Sequence, residues 1–79
     1  MSKGEFKKYI ESIGFKFDDI SYYRPFDIYK HILDHKFSIR IFVSHYDLYD
    51  HDWIGMYEFN NLSPIKRISR SIKLKKILG

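Results

Sequence analysis

The last seventeen residues of the chain carry a dense positive charge. Residues 63–79 contain six basic side chains and no acid, whereas residues 1–62 contain eight Lys and Arg against ten Asp and Glu. The six are Lys66, Arg67, Arg70, Lys73, Lys75 and Lys76. Ammonium and guanidinium groups at this density attract phosphates and acidic protein surfaces. The charge therefore predicts contact with an acidic partner, unless it covers the acidic part of its own fold or only keeps a helix face solvated.

A second candidate binding region lies at residues 45–53, where aromatic side chains flank several acids. Tyr, Trp and Arg are the residue types that most often anchor protein interfaces, so Tyr46, Tyr49 and Trp53 are predicted to contact a partner. An acidic and aromatic hairpin tip of this kind suits a basic, RNA-handling surface. The alternative is that the acids only protect the edge of a sheet.

The same region is where metal-ligating side chains crowd together, since residues 45–52 contain two His and three Asp. Imidazole and carboxylate suit divalent first-row ions, but a metal site needs three or four such groups to converge. Nothing in the spacing fixes that convergence. We interpret the segment as a polar hairpin loop and expect no metal, with a metal site as the alternative.

Catalytic motifs are missing from the sequence. It has no Cys nucleophile, no HExxH and no ordered Ser, His and Asp set, and its four Gly are scattered at positions 4, 14, 55 and 79. A chain of 79 residues also has little room for a deep pocket. We therefore expect a protein that binds without catalysis and needs no cofactor.

Length and composition predict a single domain over residues 1–79. Because the chain has no cysteine, stability must come from apolar packing, and seven Tyr, seven Phe and one Trp supply large apolar side chains. The lack of cysteine also fits a reducing cytoplasm. No apolar run approaches the roughly 18–20 residues that a bilayer requires, so no membrane partner is expected.

A helix is predicted over residues 3–13. Ser2 and Glu5 have the spacing of a capping box, in which each side chain accepts a hydrogen bond from the backbone amide of the other residue. Apolar residues then follow at helical spacing, and Gly14 suits the left-handed conformation that ends many helices. The apolar positions are Phe6, Tyr9, Ile10 and Ile13.

Three strands are predicted in the middle of the chain. Residues 37–44 alternate apolar and polar side chains most regularly and are expected at the centre of the sheet. Residues 53–59 form the last strand, with Gly55 marking a bulge or a close approach of another backbone, and residues 47–52 are interpreted as a turn. Residues 26–33 fit both a strand and one helical face, and the turn that follows them favours the strand as half of a hairpin.

The final helix is predicted to begin at Ser63 and Pro64, because Ser is a favoured N-cap and Pro fits the first helical position. Ile65, Ile68 and Ile72 share one face of this helix, and the cations cluster on the opposite side. That arrangement predicts an inward apolar face and an outward basic face.

The predicted fold class is α+β with the element order α-β-β-β-α. A three-stranded antiparallel sheet carries both helices on one face. Residues 20–23, ahead of Pro25, are a further candidate for a short strand.

Residues 5–15 read Glu-Phe-Lys-Lys-Tyr-Ile-Glu-Ser-Ile-Gly-Phe, residues 61–65 read Asn-Leu-Ser-Pro-Ile, and residues 70–79 read Arg-Ser-Ile-Lys-Leu-Lys-Lys-Ile-Leu-Gly. These stretches resemble small uncharacterised proteins encoded by phages and mobile elements of AT-rich bacteria. Proteins of that size and origin include anti-CRISPR inhibitors, which occupy a protein or RNA surface of the effector complex. The resemblance implies a phage protein in the cytoplasm of a bacterial host whose partner is a CRISPR effector with its guide RNA, and it assigns no site residue.

Two functions are predicted. The first is a non-catalytic inhibitor or adaptor that docks on a host protein or ribonucleoprotein through the basic C-terminal helix and the aromatic hairpin of residues 45–53. The second is a small basic nucleic-acid-binding protein that uses the same cations on phosphates. The salt dependence of binding separates the two, since direct phosphate contacts weaken steeply as salt rises.

Overall fold

A computed structural model describes residues 1–19 and 25–78 of the chain. Along the sequence, one helix precedes five strands and a second helix follows them. The elements are α1 (Lys3–Ser12), β1 (Phe15–Asp19), β2 (Asp27–His31), β3 (Phe37–Ile41), β4 (His45–Asp50), β5 (Asp52–Glu58) and α2 (Ser63–Leu78). The strands form one antiparallel sheet in the order β1-β2-β3-β4-β5, so every strand pairs with its neighbour in the sequence. The predicted α+β class is right, and the predicted three-stranded sheet is wrong.

The largest correction concerns residues 47–52, which the sequence predicts to be a turn. Most of them belong to β4, in which Tyr46 and Leu48 are buried while Asp47 and Tyr49 point to the other side of the sheet. The chain reverses at His51, whose φ is 59°, so a single residue separates β4 from β5. Acids that favour turns in general are accommodated here because alternate residues of a strand face opposite sides.

The other strand that the predicted fold lacks is β1, in which Phe15 and Phe17 alternate with Lys16 and Asp18. Phe15 is paired with His31, and the register shifts between Phe17 and Asp19. The predicted short strand at residues 20–23 lies outside the described residues.

Two ambiguous features of the central strands are resolved. Residues 27–31 form a strand, as favoured over the helical alternative, and β3 occupies the centre of the sheet as predicted. The predicted strand of residues 37–44 is shorter, because β3 ends at Ile41 and the chain turns there. The Phe42 amide donates to the His45 carbonyl at 2.9 Å across this turn.

The first helix begins where the sequence predicts and ends one residue earlier, at Ser12, with Ile13 as its C-cap. The Glu5 amide donates to the Ser2 hydroxyl at 3.1 Å, and the Ser2 amide donates to the Glu5 carboxylate at 3.2 Å. The hydrogen bond from the Ser2 backbone amide, followed by the interaction with the Ser2 hydroxyl, lowers the pKa of the Glu5 carboxyl group. Gly14 follows with a φ of 106°, a left-handed conformation that glycine adopts without strain.

Gly14 also leaves room for a buried histidine. A Cβ on Gly14 would lie 2.7 Å from His31 Nε2. The Leu33 amide donates to His31 Nδ1 at 3.1 Å, so the proton of the neutral ring is on Nε2, which donates to the Ile13 carbonyl at 2.9 Å. The imidazole therefore ties the end of α1 to the end of β2.

Both helices pack on one face of the sheet, as predicted. Phe6 of α1 stacks on Tyr46 with ring centroids 4.6 Å apart and contacts Phe59 at 5.1 Å. The buried cluster also contains residues of every strand from β1 to β4, together with α2. From α2 it includes the predicted inward residues Ile65, Ile68 and Ile72.

The residues just before α2 are hydrogen-bonded to the sheet. The Lys66 amide donates to the Leu62 carbonyl at 2.9 Å, which makes Leu62, one residue before the predicted Ser63, the cap of the helix. The buried Tyr46 hydroxyl donates to the Asn61 carbonyl, and burial raises the pKa of Tyr46. The segment between β5 and α2 is thereby held against β4. No helix in the described ranges is long and apolar enough to cross a membrane.

Candidate partner-binding surfaces

The four cations in the first half of α2 form an exposed surface that we call the basic face. It consists of Lys66, Arg67, Arg70 and Lys73, all of them exposed. They lie opposite the buried isoleucines of the same helix because residues three and four apart share a helical face. At a rise of about 1.5 Å per residue, the basic face extends for roughly 10 Å along the helix.

No ion pair neutralises the basic face within residues 1–19 and 25–78. The ion pairs in this part of the chain are Lys3 with Asp27, Lys7 with Asp27, Lys30 with Asp18 and Lys36 with Asp34. All of them involve other lysines. The alternative that the C-terminal cations cover the acids of their own fold therefore does not apply to these four residues.

Lys75 lies in a different electrostatic environment. Its pKa is lowered, chiefly because its ammonium group lies against that of Lys36, while Asp34 and Asp50 act in the opposite direction. Lys75 thus belongs to a cluster of mixed charge near the tip of the β4–β5 hairpin and not to the basic face. The side chain of Lys76 lies outside the described part of the chain.

The three aromatic residues of the predicted hairpin surface are not brought together. Tyr46 is 0% exposed and forms part of the core, so it is not available to a partner in this fold. Tyr49 is half-buried on the opposite face of the sheet. Trp53 pairs with Tyr49 across the strands and is 57% exposed, which leaves it as the accessible ring of the three.

The basic face and Trp53 therefore lie on opposite sides of the sheet. The helices cover the face that contains Tyr46, whereas Trp53 and Tyr49 lie on the uncovered face, which we call the outer face. The two predicted contact regions, the basic helix and the hairpin of residues 45–53, therefore do not share one surface through Trp53. A flat partner that contacts the middle of the basic face leaves the outer face free.

The outer face contains a cluster that sequence reasoning missed. The Arg40 guanidinium carbon lies 4.4 Å from the centroid of the Tyr49 ring and 5.2 Å from that of Phe26. Phe42 stacks on His45 at 4.6 Å with an interplanar angle of 13°. The alternation of β3 indicates that Arg40 and Phe42 share a face, but these contacts also depend on the register with β4.

The predicted metal alternative finds no support in the placement of residues 45–52. Alternation along β4 separates their side chains, and the His45 ring is stacked on Phe42. Over the described ranges, no group of three or more His, Asp and Glu side chains could hold a metal ion.

No family model matches the chain, and no curated protein or solved structure matches it either. The chemistry of its surfaces is therefore derived from its own residues.

Proposed function

We propose that this chain is a non-catalytic binding protein that docks on a ribonucleoprotein surface through the basic face of α2. The observation that carries this function is the exposure of four adjacent cations with no ion-pair partner among the described residues. Cations left unpaired on a helix already packed against its core add little to the fold, and they are available to an acidic ligand.

The favoured ligand is the phosphate backbone of RNA held in a protein complex. Phosphates present regularly spaced negative charge, and a row of Lys and Arg on one helix face matches such a strip without reading its sequence. Inhibition of a host defence complex, as anti-CRISPR proteins achieve, is the specific form of this function that the sequence resemblance implies. In that form the basic face occupies the guide RNA or the protein beside it.

Binding of free nucleic acid is the second candidate, and the same four cations favour it. Contact with plain single-stranded RNA predicts an affinity that falls with salt, with a slope of about −0.7 for each phosphate neutralised. A chain that needs a composite surface of RNA and protein binds plain RNA weakly and binds the intact ribonucleoprotein tightly. The two functions are separated by measuring both ligands over the same range of salt.

A matched pair of charge reversals tests the basic face. The variant Lys66→Glu/Arg70→Glu changes the formal charge from +4 to 0, and Lys8→Glu/Lys16→Glu changes it by the same amount on α1 and β1. Lys8 and Lys16 are exposed and also lack an ion pair within the described residues. Only their position differs from that of the test pair.

The measurement is capture of ribonucleoproteins from the bacterial host with the full chain, before and after RNase treatment, together with titration of single-stranded RNA. We expect Lys66→Glu/Arg70→Glu to lose capture and to flatten the salt slope of any RNA binding by about 1.4, since two phosphate contacts disappear. The control retains both. Equal capture by the two variants, or capture that RNase leaves intact, contradicts a phosphate-facing role for α2.

A further inference from the structure

Strand β5 is an open edge of the sheet with apolar side chains. It pairs with β4 on one side, and no described strand pairs with its other side. Trp53 is 57% exposed and Met56 is 61% exposed, and the charged residues of the strand are confined to its ends, Asp52 and Glu58. An edge of this kind is a template for the addition of another strand.

The backbone of β5 presents unused hydrogen-bonding groups at Met56. The Phe42 amide donates to the carbonyl of His45, so the backbone amide and carbonyl of His45 point toward β3. By alternation, those of Tyr46 point toward β5. Tyr57 is paired with Tyr46, so its backbone amide and carbonyl point toward β4. The amide and carbonyl of the adjacent Met56 therefore point away from β4. In the described part of the chain, residues 52–57 make no backbone hydrogen bond outside the β4–β5 ladder.

A groove of about 490 Å³ runs beside this edge, between β5 and α2. Residues of both β5 and α2 line it, and these two elements are consecutive in the chain. Its volume lies within the range of about 300–1,000 Å³ that is typical of ligand sites. The sheet side includes Leu48, Ile54 and Tyr57, and the helix side includes Pro64, Arg67 and Ser71.

The bulge in β5 shapes the groove. Leu48 pairs with Gly55 and Tyr49 with Trp53, so Ile54 is the extra residue. Bulges re-aim side chains, and the side chain of Ile54 lines the groove on the side of α2. Of the two alternatives predicted for Gly55, the structure has the bulge beside it; the nearest group is the side chain of Tyr57 and not another backbone, and the Tyr57 hydroxyl would lie 2.7 Å from a Cβ there. The groove therefore has an apolar wall directly beside the unpaired backbone.

Charge selects among the possible occupants of the edge and groove. The lining contains one acid, Asp50, and one cation, Arg67. Asp50 interacts electrostatically with Lys36 and Lys75. Arg67, on the helix wall, has no ion pair among the described residues, so it favours an acidic group in the ligand. A second copy of the chain fits poorly, because two β5 strands paired antiparallel about Gly55 would place Asp52 opposite Glu58 at both ends. Like charges directly opposite one another destabilise a strand pair.

We propose that an extended peptide segment of a partner protein adds to β5 as a sixth strand and places one apolar and one acidic side chain in the groove. Alternate residues of an extended chain are about 6.6 Å apart and lie on the same face. Ile54 and Arg67 line the same groove from its sheet side and its helix side. In an apolar-x-acidic segment the two side chains that enter the groove can then contact Ile54 and Arg67, respectively. This is peptide recognition by strand addition, in which the backbone supplies affinity and the pockets supply specificity.

The test uses the full chain and a displayed library of random octapeptides. We expect the selected peptides to share the apolar-x-acidic pattern, and addition of one of them to slow hydrogen exchange of the Met56 amide. Arg67→Glu should weaken the selected peptide at least about tenfold, because it places a like charge beside the carboxylate. Lys73→Glu, which makes the same change of charge on the same helix outside the groove, should weaken it less than about threefold.

Several outcomes would overturn strand addition. They are the absence of an enriched pattern, a pattern without an acid, equal losses in the two charge variants, and unchanged exchange at Met56 in a bound complex. A dimer in sedimentation with slow exchange at Met56 would assign the edge to a second copy, and protection of Met56 by single-stranded RNA would assign it to nucleic acid. Only Arg67 is shared with the basic face, so Lys66→Glu/Arg70→Glu should lose ribonucleoprotein binding and retain the peptide. The experiments therefore test the ribonucleoprotein-binding proposal and the peptide-binding proposal independently.

Discussion

Strands β1 and β5 lie at opposite edges of one sheet, yet they carry charge very differently. Three of the five residues of β1 are charged, and exposed Asp18 forms an ion pair with Lys30 at 3.2 Å. In β5 the charges are the first and last of seven residues, and the five between them are uncharged. Charged side chains along an edge discourage pairing with other chains. The contrast indicates that one edge is protected and the other is available for contact.

The largest expected difference between the two edges is the loss of stability when a glycine is replaced by alanine, at Gly14 next to β1 and at Gly55 within β5. Gly14→Ala places a methyl group 2.7 Å from His31 Nε2 at a φ of 106°, and both ring nitrogens of His31 are already in hydrogen bonds. We expect the free energy of unfolding to fall by roughly 2–4 kcal/mol from backbone strain and the displaced imidazole. Urea denaturation measures it.

Gly55→Ala is the matched change on the β5 side. The new methyl group meets the hydroxyl end of Tyr57, a half-buried side chain that can move outward, and Gly55 has no left-handed φ. We expect a loss of about 1 kcal/mol or less. Equal losses at the two glycines would remove the idea that the structure beside β1 is the more rigid of the two.

The next largest expected effect is a loss of stability at high pH, which arises in part from Tyr29 beside β1. Burial, with the nearby carboxylate of Glu11, raises the pKa of Tyr29 to about 12, and its ring packs edge-on against Phe17 of β1. A raised pKa means that the contribution of Tyr29 to stability is complete below about pH 10 and is lost as pH rises to about 12. We expect the loss to be about 2 kcal/mol.

Chemical denaturation from pH 9 to pH 12 checks this expectation. Tyr29→Phe should reduce the decline, and the remainder belongs in part to Tyr46, whose pKa is also raised by burial. Trp53→Phe, an exposed change on the β5 side without a titrating group, should leave the decline as it is in the parent chain. If Tyr29→Phe has the same pH profile as the parent, the hydroxyl is not protected by the fold.

Adding charge to β5 should abolish peptide binding, and it should alter the free energy of unfolding less than either Gly14→Ala or high pH. Ile54→Lys/Met56→Lys adds charged side chains to the middle of β5. Ile54 is 44% exposed and Met56 is 61% exposed, so the free energy of unfolding should fall by no more than about 1 kcal/mol. Binding of the selected octapeptide should be lost. Ile32→Lys/Val43→Lys adds the same charge at exposed positions away from β5 and should preserve binding. Peptide affinity unchanged in the first variant would break the distinction between the edges.

Local patterns in the sequence were sufficient for several elements. The capping box of Ser2 and Glu5, the alternation of β3 and the isoleucine face of α2 are all visible within a few neighbouring residues, and the structure confirms each of them. The sequence does not predict β4, because Asp47 and Asp50 are typical turn residues. Their local preference was outweighed by the burial of Tyr46 and Leu48 on the other side of the strand.

The candidate surfaces needed information that no local pattern contains. Whether Tyr46 or Tyr49 faces the core depends on strand register, since a shift of one residue exchanges the two faces. The exposure of the basic face follows from helical spacing, but its lack of ion pairs depends on where distant acids lie. The groove beside β5 depends on residues of α2 and of three strands coming together, which no local pattern predicts.

The contact between Phe6 and Phe59 has a consequence for how the protein is made. Phe6 belongs to the first helix, whereas Phe59 follows the last strand, so fifty-three positions of chain separate two rings that are 5.1 Å apart. Contacts between distant positions form late, because the closure of a long loop must precede them. During translation, α1 therefore has no completed packing site until the ribosome has passed residue 59. The core of this domain therefore remains incomplete while residues 1–58 are synthesised.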